Sequence, residues 1–204
     1  MQRWNRPTGR SVVRTCSRIL FLAAAAITAC KPASFHGTAY DPPEHAPDVV
    51  LKEANGARFS LADQKGKVVL LFFGYTHCPD ICPTTLSDWK RIKAGLGRDA
   101  ARVRFVFVSV DPARDDPATL GRYVARFDPG FIGATTDSTA LSGIERAFHV
   151  TSGREESASA NGYVVTHASQ TFVVDKFGDL RLLYSFGTPV DDVVADIRLL
   201  LAAS

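Results

Sequence analysis

Residues 74–83 read GYTHCPDICP and stand between an apolar run and a segment with a helical pattern. The preceding residues 68–73 (VVLLFF) are continuously apolar, which is typical of a strand that is covered on both faces of a sheet. A helix is predicted for residues 83–95, so Cys78 and Cys82 lie where a buried strand meets a helix N-terminus. Unpaired backbone N–H groups and the helix dipole favour a thiolate there. Both cysteines are therefore predicted to be reactive or to bind a metal.

The alternation of strands and helices continues along the chain. Residues 49–51 and 59–61 flank Asn55-Gly56, which is typical of a hairpin because Asn-Gly tolerates positive φ. Residues 151–162 (TSGREESASANG) contain few apolar side chains and are interpreted as a loop. Further strands are predicted at 103–110, 131–134, 171–175 and 180–184, and further helices at 117–127, 139–148 and 189–201. This order predicts an α/β protein with a thioredoxin-like fold, in which helices flank a central mixed sheet with an N-terminal hairpin.

Length and charge limit the class of protein. A chain of 204 residues with 46% hydrophobic residues is long enough for one domain with its own core. The formal charge of +3 depends on the first eighteen residues, which lack Asp and Glu but contain Arg3, Arg6, Arg10, Arg14 and Arg18. Without these five positive charges +3 becomes −2, so no nucleic-acid-binding function is indicated.

Residues 1–29 are predicted to be an export signal that is removed. The basic segment precedes an apolar run, Ile19–Ala29, that is shorter than the ~20 residues of a membrane-spanning helix. Residues 27–30 (ITAC) resemble a bacterial lipobox, in which Cys30 becomes the lipidated first residue of the mature chain. The alternative is an ordinary small-residue cleavage site. We expect a protein anchored by lipid at the periplasmic face of a bacterial membrane. The residue after the lipidated cysteine is Lys31, which does not identify whether the anchor lies in the inner or the outer membrane.

Residues 30–46 are predicted to be a lipid-anchored flexible tether, followed by a single domain over residues 47–204. The segment contains Pro, Gly and small polar residues and shows no period. Its two histidines, His36 and His45, have no partner at metal-ligand spacing. They are interpreted as solvated side chains without a metal role.

The cysteine count leaves one thiol pair in the mature domain. Cys16 is removed with the predicted export signal and Cys30 is predicted to carry lipid, so only Cys78 and Cys82 remain as free thiols. A structural disulfide would close too short a loop to stabilise the chain much. Three residues separate the two cysteines, whereas a thioredoxin redox motif has two residues between them. The wider spacing suits two sulfurs that both bind a third partner, such as a metal ion. Soft thiolates prefer Cu(I), with Zn(II) as competitor, and a further ligand is then required.

His167 is the histidine best placed to be that further ligand. It lies in residues 163–170 (YVVTHASQ), just before a predicted strand, and the loop entering that strand faces the cysteine loop in a thioredoxin-like sheet. His77 is adjacent to Cys78, so its side chain is expected to point away from the sulfurs. His149 follows a predicted helix and is expected to contact only the terminal carbonyls.

Three segments resemble the motifs of the Sco family, also called SenC-like. They are residues 72–83 (FFGYTHCPDICP), 108–117 (VSVDPARDDP) and 163–178 (YVVTHASQTFVVDKFG). The resemblance covers about residues 47–202. It implies a membrane-tethered, thioredoxin-like copper protein that helps to assemble the binuclear copper centre of cytochrome c oxidase. Some bacterial members of the family act chiefly as thiol-disulfide reductants.

By position, the resemblance makes Cys78, Cys82 and His167 the ligands of Cu(I) or Cu(II). Asp111 is interpreted either as an electrostatic neighbour of the metal or as the cap of the turn that follows it. Thr166 stands where family members frequently have an acid, so weaker copper binding or a different docking mode is expected.

Two functions remain open from the sequence. The first is a copper chaperone, not primarily an enzyme, that serves the apo copper subunit of cytochrome c oxidase or other periplasmic copper or thiol proteins. The alternative is a thiol-disulfide oxidoreductase, reductant or peroxidase-like, with Cys78 as nucleophile and Cys82 as resolving cysteine. The cysteine spacing, His167 and Gln170, which occupies the place of the substrate-clamping proline of thioredoxins, favour the chaperone.

Overall fold

The structure is a computed structural model that describes Met1, residues 34–157 and residues 162–203. The predicted export signal, Cys16 and the predicted lipidation site Cys30 lie outside the described residues. Within the described part of the chain, none of the helices combines the length and hydrophobicity that a membrane crossing requires.

Ten strands and four α-helices follow one another in the part of the chain that the structure describes. The strands are β1 Thr38–His45, β2 Val50–Glu53, β3 Arg58–Ser60, β4 Val68–Gly74, β5 Val103–Ser109, β6 Ile132–Thr135, β7 Gly153–Glu156, β8 Tyr163–Thr166, β9 Thr171–Val174 and β10 Asp179–Tyr184. The helices are α1 Ile81–Leu96, α2 Pro117–Ala125, α3 Ser138–Ala147 and α4 Val190–Ala202. Short 3-10 helices cover Ala62–Gln64 and Gly97–Arg102.

Eight of the described strands form one mixed sheet in the order β1-β10-β9-β4-β5-β6-β2-β3. The β4–β5 and β5–β6 pairs are parallel, and the other pairs of this sheet are antiparallel. The predicted N-terminal hairpin is confirmed as β2–β3, with Leu51 opposite Phe59 and Gly56 at φ 81° in the turn. The closing hairpin is confirmed as β9–β10. The prediction of a central mixed sheet flanked by helices is therefore correct.

Strand β4 is at the centre of the domain and serves two cores. Leu70 and Phe72 face the core that α1, α2 and α4 complete, whereas Leu71 and Phe73 face the core that includes α3. Each of these four side chains is at most 1% exposed. Burial of such a side chain contributes about 1.5–3 kcal/mol, which explains why an unbroken apolar run becomes the central strand.

The start of helix α1 is displaced from the predicted position. The helix begins at Ile81, two residues before the predicted start, so Cys82 lies inside its first turn. Helices α2 and α3 begin after Asp116 and Asp137, whose carboxylates accept hydrogen bonds from backbone N–H groups of the first turn. A capping aspartate thus determines where α2 and α3 begin, whereas α1 follows directly from the cysteine loop and has no side-chain cap.

The prediction of a flexible tether over residues 30–46 is wrong for residues 38–45, which form β1 and pair with β10. An edge strand needs only backbone pairing, and seven of its eight residues are exposed, so no apolar pattern reveals it. His36 also differs from expectation, because its backbone N–H and its Nδ1 lie 2.9 Å from carboxylate oxygens of fully buried Asp196. His45 is exposed, with Nδ1 3.2 Å from Asp179.

The interpretation of residues 151–162 as a loop is also wrong in part. Residues 153–156 form β7, which pairs antiparallel with β8, placing Gly153 opposite Thr166. All four residues of β7 are exposed, so the strand lacks the alternating hydrophobicity on which a sequence prediction depends. This two-stranded sheet matters because β8 leads directly into His167.

Candidate metal centre

The side chains of Cys78, Cys82 and His167 converge at one end of the central sheet. The Nε2 atom of His167 lies 3.8 Å from Cys78 Sγ and 3.5 Å from Cys82 Sγ. One nitrogen and two sulfurs thus lie within 4.8 Å of one another, and both cysteines are free thiols. Among the residues that the structure describes, no other group of His, Cys, Asp and Glu side chains is arranged to hold a metal.

A tight turn and the start of α1 position the two sulfurs. Strand β4 ends at Gly74, and the Cys78 N–H donates to the Tyr75 carbonyl at 3.2 Å to close a turn. The N–H of Cys82, in the first turn of α1, lies 3.4 Å from Cys78 Sγ. Cys78 is half-buried and Cys82 is fully buried, so the site is reached from the Cys78 side.

Gly74 provides the space that the Cys82 sulfur occupies. A Cβ atom at position 74 would lie 2.7 Å from Cys82 Sγ and 2.8–2.9 Å from ring atoms of Phe107 and Phe72. Real Cβ atoms do not approach heavy atoms this closely. The glycine at the end of β4 is therefore required by the sulfur packed against it.

The neutral form of His167 presents an unprotonated nitrogen to the sulfurs. Its Nδ1 lies 2.9 Å from the Ala168 carbonyl oxygen, which can only accept, so in the neutral ring Nδ1 carries the proton and Nε2 keeps its lone pair. The ring packs edge-on against Phe72 and Tyr75, with centroids 5.8 Å and 5.6 Å away. These contacts orient the imidazole without using the nitrogen that faces the thiols.

The two cysteines differ in their acidity. A hydrogen bond from the Cys82 thiol lowers the pKa of Cys78 to about 4, with further contributions from the protonated form of His167 and from the backbone N–H groups of Cys82 and Asp80. Burial, followed by the interaction with Cys78, raises the pKa of Cys82 well above its usual range. For His167 burial acts to lower the pKa, but the hydrogen bond with Cys78 and other contacts raise it overall. The reduced site therefore holds one thiolate, on the more accessible sulfur.

Cys78 is therefore expected to react first, and at nearly constant rate, when the reduced domain is alkylated between pH 5.5 and 7.5. An ordinary cysteine gains about tenfold in rate per pH unit below its pKa of about 8.5, whereas Cys78 is already a thiolate throughout this range. The measurement is iodoacetamide labelling with peptide mapping, with N-acetylcysteine labelled in parallel. Earlier labelling of Cys82, or a rate for Cys78 that follows that of N-acetylcysteine, contradicts the prediction.

Asp111 has contacts that neither interpretation of it anticipated. Its fully buried carboxylate forms an ion pair with Arg114, lies 3.3 Å from Arg154 Nη2, and accepts a hydrogen bond of 2.9 Å from the Tyr163 hydroxyl. The Arg114 guanidinium lies 3.6 Å above the Tyr163 ring. Asp111 thus attaches the two-stranded β7–β8 sheet, and with it the strand before His167, to the end of β5.

Sequence reasoning missed Asp115, which contacts the cysteine loop directly. Its fully buried carboxylate accepts hydrogen bonds from the Thr76 N–H at 2.9 Å and the Thr76 hydroxyl at 2.6 Å. Its position in the sequence could have indicated this contact. Asp115 lies four residues after Asp111, in the segment that follows β5, and β5 is the parallel neighbour of β4, which leads into the cysteine loop. Strands paired in parallel end at the same edge of a sheet, so residues just after β4 and β5 meet.

The other residues singled out in the sequence lie outside the three-residue cluster. His77 is exposed, with Nδ1 3.1 Å from Thr76 Oγ1, and His149 is exposed at φ 53° beyond the end of α3. The Thr166 hydroxyl donates to the Gly153 carbonyl at 3.2 Å, so this side chain serves the β7–β8 pairing. Gln170 is partly buried just before β9.

Comparison with known proteins identifies related chains. A family model described as SCO1/SenC matches residues 38–202. The SCO2-like protein of Rickettsia felis is 34% identical over 144 residues, which is 70% of each chain. The structure of Bradyrhizobium japonicum ScoI with copper bound is 30% identical and has a TM-score of 0.71, covering 76% of this chain and 99% of that one. Apo Sco1 from Thermus thermophilus is 39% identical with a TM-score of 0.73, covering 82% and 97%. The predicted thioredoxin-like fold is confirmed by these similarities.

Proposed function

The chain belongs to the SCO1/SenC family, and on this premise we propose that it is a copper chaperone whose cargo is held by Cys78, Cys82 and His167. The observation that carries the proposal is the convergence of two thiol sulfurs and one lone-pair nitrogen within 4.8 Å. Similarity to ScoI of Bradyrhizobium japonicum, which was solved with copper bound, supports the choice of metal.

The donor set fits copper better than its main competitor. Two thiolates and one neutral imidazole provide a soft three-coordinate site for Cu(I), and an added ligand converts the same set into a site for Cu(II). A structural Zn(II) site requires four protein ligands, and the described residues bring together three. The orientation of His167 by Ala168, Phe72 and Tyr75 prepares the nitrogen before any metal arrives.

The accessibility of the ligands indicates how cargo is exchanged. Cys78 and His167 line an open cleft together with Pro79 and Thr166, whereas Cys82 is fully buried. Ligands of a partner protein can therefore replace Cys78 and His167 in turn while Cys82 still holds the metal. A cleft that the described residues leave open suits a protein that gives its metal away.

We further propose the partner and the location that the family resemblance implies. The partner is the apo copper subunit of cytochrome c oxidase, and the chaperone acts at the periplasmic face of the membrane through a lipid on Cys30. The basic leader and the ITAC segment support the anchor. Intact-mass analysis of membrane-extracted protein is expected to show a chain that begins at Cys30 with added acyl mass. An unmodified Cys30 contradicts the anchor.

Metal titration tests the proposed chaperone function. The described residues from 34 onwards form one compact unit, so a fragment that begins at Lys31 is suitable. Reduced anaerobically, it is expected to bind one equivalent of Cu(I), and Cu(II) is expected to produce sulfur-to-copper charge-transfer absorption. Transfer to an apo copper subunit is then followed by loss of that absorption. A folded, reduced fragment that binds no copper overturns the proposal.

A second function is favoured by the thiolate on Cys78. This sulfur can attack a partner disulfide, and Cys82 can then resolve the mixed disulfide, so that the partner is reduced by two electrons as the pair is oxidised. We expect the pair to interconvert reversibly between dithiol and disulfide. Turnover of a model disulfide by a fragment that binds no copper identifies the protein as a reductant.

A further inference from the structure

The carboxylate of Asp115 is bonded mainly to one residue of the cysteine turn. Oδ2 accepts from the Thr76 N–H at 2.9 Å, and Oδ1 accepts from the Thr76 hydroxyl at 2.6 Å. The Ser109 hydroxyl at the end of β5 adds a third hydrogen bond, at 2.8 Å to Oδ2. The side chain is fully buried, so these bonds are not exchanged with water.

Thr76 is the residue through which this carboxylate reaches Cys78. Thr76 and His77 are the two central residues of the turn that the Cys78 N–H closes on the Tyr75 carbonyl. The His77 Nδ1 lies 3.1 Å from the Thr76 hydroxyl oxygen, whose proton is donated to Asp115, so His77 joins the same chain of hydrogen bonds. Both residues that precede Cys78 are therefore held, directly or through Thr76, by one buried carboxylate.

A buried carboxylate is costly, and packing alone does not require one here. Transfer of a charged or polar group out of water is unfavourable unless hydrogen bonds replace the lost hydration, and an apolar side chain avoids that cost. Asp115 forms two of its three hydrogen bonds with Thr76. The carboxylate holds the backbone of the cysteine turn in one conformation through its hydrogen bonds to Thr76, which an apolar residue cannot do.

We propose that Asp115 is a positioning residue of the Cys78–Cys82–His167 site. It fixes the turn that sets the distance of Cys78 Sγ from Cys82 and from His167 Nε2. As an inference about copper it rests on the proposed function, but the same positioning sets how readily Cys78 and Cys82 form a disulfide. The inference can therefore be tested with or without metal.

The test compares Asp115→Ala, Asp115→Asn and Thr76→Val with a control, Asp175→Ala. Asp175 is a buried aspartate at the opposite end of β9 from His167, and its Oδ1 accepts the N–H groups of Phe177, Gly178 and Asp179. Its loss destabilises a turn far from the site. Cu(I) affinity by competition, the charge-transfer band with Cu(II), and the equilibrium between dithiol and disulfide in glutathione buffers are measured below each variant's unfolding temperature.

Asp115→Ala is expected to lower Cu(I) affinity by about 10–100-fold, the effect typical of residues that orient metal ligands, and to shift the charge-transfer band. Asp115→Asn keeps an oxygen for the Thr76 N–H and is expected to restore most of the affinity. Thr76→Val removes only the hydrogen bond from the Thr76 hydroxyl to Asp115 and is expected to give a smaller loss of Cu(I) affinity. Asp175→Ala is expected to lower the unfolding temperature while leaving copper affinity and disulfide equilibrium unchanged.

Several results contradict the inference. Wild-type copper affinity and an unchanged disulfide equilibrium in folded Asp115→Ala overturn it, as does an equal loss in Asp175→Ala, which indicates general destabilisation. If Asp115→Ala does not fold, folded Thr76→Val decides, and wild-type values there overturn the inference. If the wild-type fragment binds no copper, the proposed function fails, and the disulfide equilibrium alone then decides whether Asp115 positions the cysteines.

Discussion

His167→Ala is expected to lower the affinity for Cu(I) by more than about 100-fold, because the variant loses one of the three proposed ligands, not a residue that orients a ligand. The lost nitrogen lies 3.5 Å and 3.8 Å from the two sulfurs, so no other donor in the described cluster replaces it. The charge-transfer band of the Cu(II) form is expected to shift or disappear. Competition titration under anaerobic conditions measures the effect.

The same variant separates the two candidate functions. Reduction of a model disulfide depends on the thiolate of Cys78, whose pKa is lowered first by Cys82 and only then by His167, so this activity is expected to change little. His149→Asn is the matched control, because His149 is an exposed histidine at φ 53°, a conformation that Asn tolerates. Equal copper affinity in His167→Ala and wild type contradicts the chaperone proposal.

Gly74→Ala is expected to disturb the site at Cys82, the sulfur that packs against position 74. The added Cβ lies 2.7 Å from Cys82 Sγ and meets ring atoms of Phe107 and Phe72, so the sulfur or the strand must move. Overpacking of this kind costs about 1–3 kcal/mol of stability. Because Cys82 is one of the proposed copper ligands, its displacement is expected to lower Cu(I) affinity by more than about tenfold. Thermal unfolding and copper competition measure the two effects separately.

A second glycine distinguishes the loss of stability from the loss of the site. A Cβ on Gly133 in β6 would lie 3.0 Å from the Leu120 carbonyl oxygen, so Gly133→Ala is also overpacked, but against helix α2. It is expected to be less stable than wild type and to keep wild-type copper affinity. If Gly74→Ala binds copper as wild type does, then Cys82 does not require the space at position 74 for its role.

The secondary structure was predictable wherever burial produces a pattern. The run at residues 68–73 is apolar throughout because β4 is covered on both faces, and the stripes of α2 and α4 follow from packing on one side of the sheet. Prediction failed at β1 and β7, because exposed strands carry no such pattern. Their pairing is decided by backbone hydrogen bonds to β10 and β8, and the exposed residues themselves do not identify these partners.

Of the site, the sequence by itself determined the donors: two thiols three residues apart at a helix start, and one histidine before a strand. Chemistry and spacing suffice for this, because the residue type limits which metals a side chain can hold. Only the tertiary structure decided how the donors are arranged and supported. Asp115 and Thr76, 39 residues apart, meet because β4 and β5 run in parallel and end together, and Asp111, which also follows β5, accepts a hydrogen bond from the Tyr163 hydroxyl of β8. Such contacts depend on the register of paired strands, and no local pattern of residues encodes that register.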